Sequence, residues 1–210
     1  MLDVHPPHPA AHSWRDFFIQ IVTIAVGLLL AIGLEQTVEY IHHRHLLHQA
    51  ESNLRNENQD NRQTLADNEK LLDGTEAEMQ TNLRVFADLK AHRNPAEQFS
   101  LQWKWTGLQS AAWDTARNTG AVGLMSYDSA QDYSIVYSQQ TLVNEQAWVY
   151  IRDVYRSGTN IALHKLPDLE PAEIDSAIAD TKQTLNDIRY LRDLIRGLRV
   201  IYDEREPSSR

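Results

Sequence analysis

An uncharged apolar stretch near the start of the chain, residues 17–34 (FFIQIVTIAVGLLLAIGL), constrains the fold more than any other feature. It contains no charged side chain, and only Gln20 and Thr23 are clearly polar. A helix of this length rises about 27 Å, close to the thickness of the hydrocarbon core of a bilayer. The stretch therefore predicts one transmembrane helix, with the lipid bilayer as its partner and a water-soluble remainder.

A cleaved signal peptide is the main alternative for this stretch, and its flanks argue against it. Signal peptides have a basic start, an apolar core of about 7–15 residues and small residues at the cleavage site. Residues 1–16 instead hold one Arg and two Asp, and the apolar run ends in Leu34-Glu35-Gln36. We therefore expect residues 17–34 to be retained as an anchor that follows an extended, His- and Pro-rich tail over residues 1–16.

Small side chains form one face of the same stretch. Thr23, Gly27 and Ala31 recur at every fourth residue, which places them on one side of a helix. Small residues at this spacing let two helices approach closely in lipid and predict self-association. The alternative is an ordinary lipid-facing helix that contains small residues, and the sequence leaves both open.

The flanks of the anchor also bear on its orientation. Arg15 precedes the span and Arg44 follows it, so the count of nearby basic residues is balanced. A short tail before a large C-terminal portion is typical of a signal anchor. We therefore expect a bacterial inner-membrane protein with a cytoplasmic N-terminus and a periplasmic C-terminal portion.

Charge and cysteine content narrow the range of partners. The net charge is −9, and nearly all of it lies after residue 34. An acidic soluble portion argues against nucleic acid as a partner. The chain has no cysteine, which excludes disulfide and thiolate chemistry but leaves the compartment open.

A long helix is expected to follow the anchor. Residues 35–93 contain no proline and no strong helix stop, which predicts a continuous stalk and bundle helix. Within it, alternating spacings of three and four residues mark one stripe, as in a coiled coil or a long bundle. The stripe consists of Leu54, Asn58, Asn61, Leu65, Asn68, Leu72, Thr75, Met79, Asn82, Phe86 and Leu89.

One register of this stripe is polar. Asn61, Asn68, Thr75 and Asn82 lie seven residues apart. A buried asparagine in such a register costs stability but fixes helix register and the number of partners. This reading makes Asn61, Asn68 and Asn82 a register-setting polar layer within an oligomer. The alternative leaves them hydrated at the edge of a broader apolar face.

Residues 94–204 are expected to complete the bundle after Asn94-Pro95 ends the long helix. Residues 99–106 (FSLQWKWT) alternate in polarity like a strand, but no second strand is available to pair with them, so we expect an extended or short helical connector. Helices are expected at about 107–117, 126–156 and 171–204, with Ser157-Gly158 as a helix stop, a loop at 160–169 and fraying over 205–210.

These elements predict the fold class. It is all-α: one N-terminal transmembrane helix continues into a long helix that packs in an up-down helical bundle.

Just past the anchor, five residues form a candidate metal site: Glu35, Glu39, His42, His45 and His48. Glu39 and His42 form a Glu-x-x-His pair, the spacing that di-iron bundles use, and a homodimer would supply a second pair by symmetry. His45 and His48 are also three residues apart and suit a transition metal. The alternative is that these side chains only solvate the headgroup region, and no cofactor is then expected.

The remaining sequence carries no catalytic signature. No nucleophile elbow, glycine-rich phosphate loop or HExxH motif occurs. We therefore expect a non-enzymatic scaffold, adaptor or accessory subunit that self-associates or belongs to a membrane complex. The alternatives are a metal-binding, possibly redox, membrane protein and a periplasmic sensor of a small ligand.

Two stretches resemble a group of uncharacterised bacterial single-pass membrane proteins. Residues 5–45 carry a His-Pro tail, a Ser-Trp-Arg-Asp start, a Gly-Leu-Leu anchor and a His-His-Arg-His end. Residues 110–140 carry Trp-x-x-Ala, Thr-Gly-Ala and Tyr elements. The resemblance implies an anchored, helical protein and assigns no activity and no catalytic residue.

Overall fold

The computed structural model describes residues 14–163 and 165–205. Within these two ranges the protein has four α-helices and no strand, which confirms the all-α prediction. The helices are α1 (Trp14–Lys90), α2 (Ala111–Asn118), α3 (Tyr127–Leu163) and α4 (Pro171–Arg205), with 3-10 turns at Ala121–Leu124 and Leu166–Asp168. The chain divides into two units, Met1–Gln49 and Ala50–Arg210, and α1 contributes to both.

Helix α1 begins earlier than the sequence predicts. Residues 14–16, which were expected to belong to the tail, form its first turn, where Asp16 lies close to the positive end of the helix dipole. The rest of the predicted tail lies outside the described residues. The helix also covers the whole of the predicted span without interruption.

The end of α1 is defined by a Schellman motif rather than by proline alone. His92 adopts a left-handed backbone with φ of 53°. Its amide donates to Leu89 O at 3.0 Å, and the Arg93 amide donates to Asp88 O at 2.8 Å. These bonds satisfy carbonyls that the last helical turn leaves without partners. The helix therefore ends at Lys90, before Asn94-Pro95.

The predicted stripe of α1 forms one wall of the core. Every member from Leu54 to Phe86 is buried, including its five polar residues. Their apolar neighbours come from α3 and α4, among them Tyr150, Val154, Leu191 and Ile195. Burial of this face accounts for the helix in a segment that is otherwise rich in charge.

Cross-helix contacts give the topology of the bundle. Tyr137 near the start of α3 bonds Glu57, and Tyr150 further along bonds Thr75, so α3 runs parallel to the second half of α1. Helix α4 runs antiparallel to both. Its end pairs with α1 through Asp203 and Arg62, which lie 2.8 Å apart, and its start pairs through Asp175 and Lys90.

The segment between α1 and α2, residues 91–110, returns alongside α1 in an extended form. Leu101, Trp103 and Trp105 are half-buried against the core, whereas Gln102 and Lys104 are exposed. The strand-like alternation therefore has a structural basis although no strand pairs with it. This connector takes the place that a second descending helix would have in a four-helix bundle.

The C-terminal boundary of α3 differs from the prediction. The helix continues through Ser157-Gly158 to Leu163, so that residues 160–163 are helical rather than part of a loop. A Cβ at Gly158 would overlap Leu101 Cδ2, which shows that this glycine admits the connector close to α3. Gly158 is a close-approach residue and does not act as a C-cap.

Helix α2 is capped by a side chain from another helix. Glu57 of α1 accepts the Ala112 amide on Oε2 at 2.9 Å and the Tyr137 hydroxyl on Oε1 at 2.7 Å. A carboxylate at a helix N-terminus satisfies a free amide and complements the helix dipole. The helix accordingly begins at Ala111, four residues later than predicted.

Glu57→Gln is expected to destabilise α2 by about 1 kcal/mol, because an amide oxygen is a weaker acceptor than a carboxylate. Amide hydrogen exchange over residues 111–118 should become faster. The control is Glu51→Gln, which changes a half-exposed carboxylate 3.7 Å from Arg55 on the same helix. Equal exchange in the two variants would contradict the capping role.

Candidate functional site

The predicted anchor is an exposed apolar helix. By length and composition, α1 could cross a membrane: an 18-residue window has a mean hydropathy of 2.5. None of that window is buried within the structure. Leu29 and Leu30 are each more than 60 % exposed, a state in which a large apolar side chain is unfavourable in water. The surface of this helix is suited to a hydrocarbon environment.

The polar hydroxyls along this helix are satisfied internally. Thr23 Oγ1 donates to Ile19 O at 2.8 Å, and Thr37 Oγ1 donates to Gly33 O at 2.7 Å. Such bonds to the preceding turn remove the cost of placing a hydroxyl in lipid. The small-residue face is also open, since a Cβ added at Gly27 would meet no atom within 4 Å.

The predicted metal ligands follow the predicted span on the same helix. Glu39 lies 3.8 Å from His43, an i,i+4 pair that the metal prediction did not include. Glu35, His42, His45 and His48 are exposed. In a single copy, no three His, Asp or Glu residues of the described ranges are arranged to hold a metal ion. The metal site stays a prediction.

Three asparagines of the stripe bind the connector through both atoms of their amides. Asn68 donates to Thr106 O at 2.8 Å and accepts from the Thr106 amide at 3.0 Å. Asn61 makes the same pair of bonds with Gln109, each at 2.8 Å. Asn82 does so with Ser100, at 2.6 and 3.1 Å. The side-chain amides therefore replace the neighbouring strand that the connector lacks.

The spacing of these pairs follows from two backbone geometries. Seven helical residues rise about 10.5 Å, and three extended residues span about the same distance. Asn61 and Asn68 are seven residues apart, and their partners Gln109 and Thr106 are three apart. Asn144 of α3 adds an equivalent pair of bonds to Leu108, both at 3.0 Å. Within one chain, Asn61, Asn68 and Asn82 therefore bind the connector.

The three asparagines Asn61, Asn68 and Asn82, bound to the connector, are called the asparagine clamp below. A buried polar network lies beside this clamp. The Gln140 amide donates to the Tyr202 hydroxyl at 2.8 Å and to Asn58 Oδ1 at 3.3 Å. Burial raises the pKa of Tyr202, and burial together with Glu57 raises the pKa of Tyr137. Both phenols stay protonated at neutral pH and act as hydrogen-bond donors or acceptors, not as bases.

Two carboxyl groups are buried together between α3 and α4. Asp153 is 3 % exposed and Asp187 is 6 % exposed. Burial, and then the neighbouring Asp153, raise the pKa of Asp187 to about 6. Arg152 Nε donates to Asp153 Oδ1 at 3.0 Å, whereas Asp187 accepts the Gln183 amide at 3.1 Å. The arrangement favours one proton held between two acids.

The sequence interpretation missed these acids and also the Glu57 cap. A signal was present for Asp153, which lies between Ile151 and Val154 on the predicted apolar face of α3. A cleft of about 710 Å³ was missed as well, because its walls come from distant segments that include Leu89, Phe99 and Leu166.

Comparison of the chain with protein-family profiles, curated proteins and solved structures finds no match. The resemblance noted above stays a prediction.

Proposed function

We propose that the chain is a single-pass membrane protein whose helical bundle serves as a scaffold, adaptor or accessory subunit in a membrane-bound assembly. The observation that carries this proposal is the exposed apolar N-terminal stretch of α1, a helix whose later residues belong to a bundle with its own core. A helix of this kind is stable in lipid and costly in water. In the proposed orientation the N-terminus is cytoplasmic and the bundle periplasmic, in a bacterial inner membrane.

Exposed aromatic side chains on the bundle support a role in binding partners. Trp148 is 70 % exposed and Tyr155 is 55 % exposed, and they lie one heptad apart on α3. Trp103 of the connector contacts the Tyr155 ring edge-to-face at 5.4 Å. Tryptophan and tyrosine are enriched where proteins meet, since they bury a large area at low entropic cost. This aromatic surface is the proposed contact region of the bundle.

Membrane retention tests the anchor directly. Val26→Arg places a charge at the middle of the apolar stretch, where it is costly in hydrocarbon. We expect wild type and Val26→Ala to remain with membranes after an alkaline carbonate wash, and Val26→Arg to be partly released. Complete release of the wild-type protein would contradict the proposal.

Assembly is tested on the full chain. Light scattering in detergent and mass spectrometry of proteins co-purified from native membranes should reveal either a homo-oligomer or a defined partner. A double variant, Trp148→Ser with Tyr155→Ser, should reduce recovery of a heterologous partner relative to Tyr190→Ser, which changes an exposed tyrosine on α4. A monomeric particle without any co-purified protein would contradict the scaffold role.

A further inference from the structure

A second heptad stripe lies in the unit that precedes the bundle. Its members are separated by alternating steps of four and three residues and are all exposed: Gly27, Ala31, Leu34, Val38, Ile41, His45 and His48. This stripe is called the N-terminal seam below. It begins inside the predicted span and ends beyond it, and it is distinct from the buried stripe that starts at Leu54. An apolar stripe with this period is typical of helices that pair with other helices.

The exposure of the seam is large where it leaves the span. Leu34 is 70 % exposed, Val38 is 67 % exposed and Ile41 is 61 % exposed. A hollow of about 550 Å³ on this face is lined by Ile41, His45 and His48 together with two flanking residues, Tyr40 and Arg44. In a coiled coil, a side chain of the facing helix enters such a hollow.

The register of the seam favours a second copy of this chain as its occupant. Alternation of three and four residues places Val38 and His45 at a positions, and Leu34, Ile41 and His48 at d positions. Val38 at a with Leu34 at d is a combination that favours two parallel strands. A single-pass anchor holds copies parallel, and the small residues Gly27 and Ala31 let the two helices approach within lipid.

The same register brings histidines together. In a parallel pair, His45 faces His45 of the other copy, and His48 faces its counterpart one layer further, about 4.5 Å along the axis. Two copies therefore supply four imidazoles at one end of the seam. His43 lies on the opposite side of the helix, and His42 lies beside the seam rather than in it. Four neutral imidazoles match the tetrahedral coordination that Zn²⁺ prefers.

We infer that two copies of this chain pair through the N-terminal seam and bind one divalent transition-metal ion between His45 and His48 of each copy. This inference rests on the proposed membrane anchor, which keeps the two chains parallel. It narrows the ligand set to two of the five residues predicted from the sequence. Glu35, Glu39 and His42 are outside the a and d positions and are not ligands in this arrangement.

Disulfide scanning tests the pairing, because the chain has no cysteine of its own. Single substitutions Val38→Cys and Ile41→Cys in the full chain, in native membranes, should form dimers rapidly on mild oxidation, since facing a or d residues are close enough for a disulfide. Glu39→Cys and His43→Cys should form them at least tenfold more slowly. Equal rates, or a maximum on the face of Glu39 and His43, would overturn the seam.

Metal content tests the second half of the inference. Purified protein in detergent, loaded with Zn²⁺ and desalted, should hold one ion per two chains, and Co²⁺ should give a tetrahedral absorption spectrum. His45→Ala with His48→Ala should weaken Zn²⁺ binding at least tenfold, whereas His42→Ala with His43→Ala, which removes the same number of imidazoles, should leave it unchanged. Equal loss in both double variants would overturn the assignment of the ligands.

The outcomes also separate this inference from the proposed function. If the off-seam cysteines cross-link best, the chain still self-associates in the membrane and only the seam is wrong. If no cysteine cross-links and a heterologous membrane partner co-purifies, the adaptor role stands without the seam. If the wild-type protein leaves the membrane in carbonate, the proposed function fails first.

Discussion

Asn68→Ala is expected to lower the free energy of unfolding by about 3 kcal/mol. Asn68 is 1 % exposed, and its amide makes both the hydrogen bonds that hold Thr106 of the connector. Alanine would leave a backbone amide and a carbonyl without these partners and would open a cavity beside Leu65 and Leu72. Denaturant unfolding of the full chain in detergent, followed by tryptophan fluorescence, measures the change, since Trp103 and Trp105 lie in the connector.

Two variants separate hydrogen bonding from packing. Asn68→Leu restores the lost volume but pairs with neither backbone group, so it should remain at least 2 kcal/mol less stable than wild type. Asn56→Ala changes an exposed asparagine on the same helix and should alter stability by less than about 0.5 kcal/mol. If Asn68→Leu were as stable as wild type, the hydrogen bonds of the asparagine clamp would contribute little to the free energy of unfolding.

The asparagine clamp shows what could be predicted from the sequence and what could not. A seven-residue period was enough to single out Asn61, Asn68 and Asn82, and a two-residue period was enough to predict an extended or short helical connector at 99–106. The two patterns were interpreted separately, the first as a helix register and the second as a connector. Their connection depends on the match between helical rise and extended rise, which places partners 18 to 48 residues apart in sequence. Local periodicity does not contain that information.

Helix boundaries illustrate a second limit. Ser157-Gly158 has the composition of a helix end, but the glycine is required by the close approach of Leu101, which belongs to a different segment. Conversely, the start of α4 at Pro171 was predictable, because proline at the first helical turn acts through its own backbone. The role of Pro171 is local and was predicted, whereas the role of Gly158 depends on a tertiary contact and was not.

The candidate functional residues show the same difference between local roles and roles that depend on a tertiary contact. An uncharged stretch of 18 residues can be recognised as a candidate membrane span from its own length and composition. The buried acid Asp187 looks like an ordinary helix-surface residue in sequence, and the only signal for Asp153 is its position on the predicted apolar face of α3. Only the packing of α3 on α4 removes both from water and makes their charge unfavourable.

Asp187→Asn is expected to stabilise the protein by about 3 kcal/mol at pH 8 and to leave stability nearly unchanged at pH 4. The pKa of Asp187 is raised from 3.8 to about 6 in the folded protein. Between these values the unfolded chain has lost its proton while the folded chain retains it. The stabilising contribution of this group is therefore complete below about pH 4 and is lost as pH rises through about 6. Asparagine removes the charge, keeps the shape and can donate to Asp153.

Measurement of unfolding free energy from pH 4 to pH 8 tests this coupling. Wild type should lose stability across that interval through this group, and Asp187→Asn should lose about 3 kcal/mol less. Asp193→Asn is the matched control on α4, because Asp193 is exposed and lies 3.0 Å from Arg196 in a surface pair of small energetic value. It should reproduce the wild-type profile. Parallel profiles for wild type and Asp187→Asn would mean that the two acids are not coupled, and that Arg152 and Arg156 already compensate both charges.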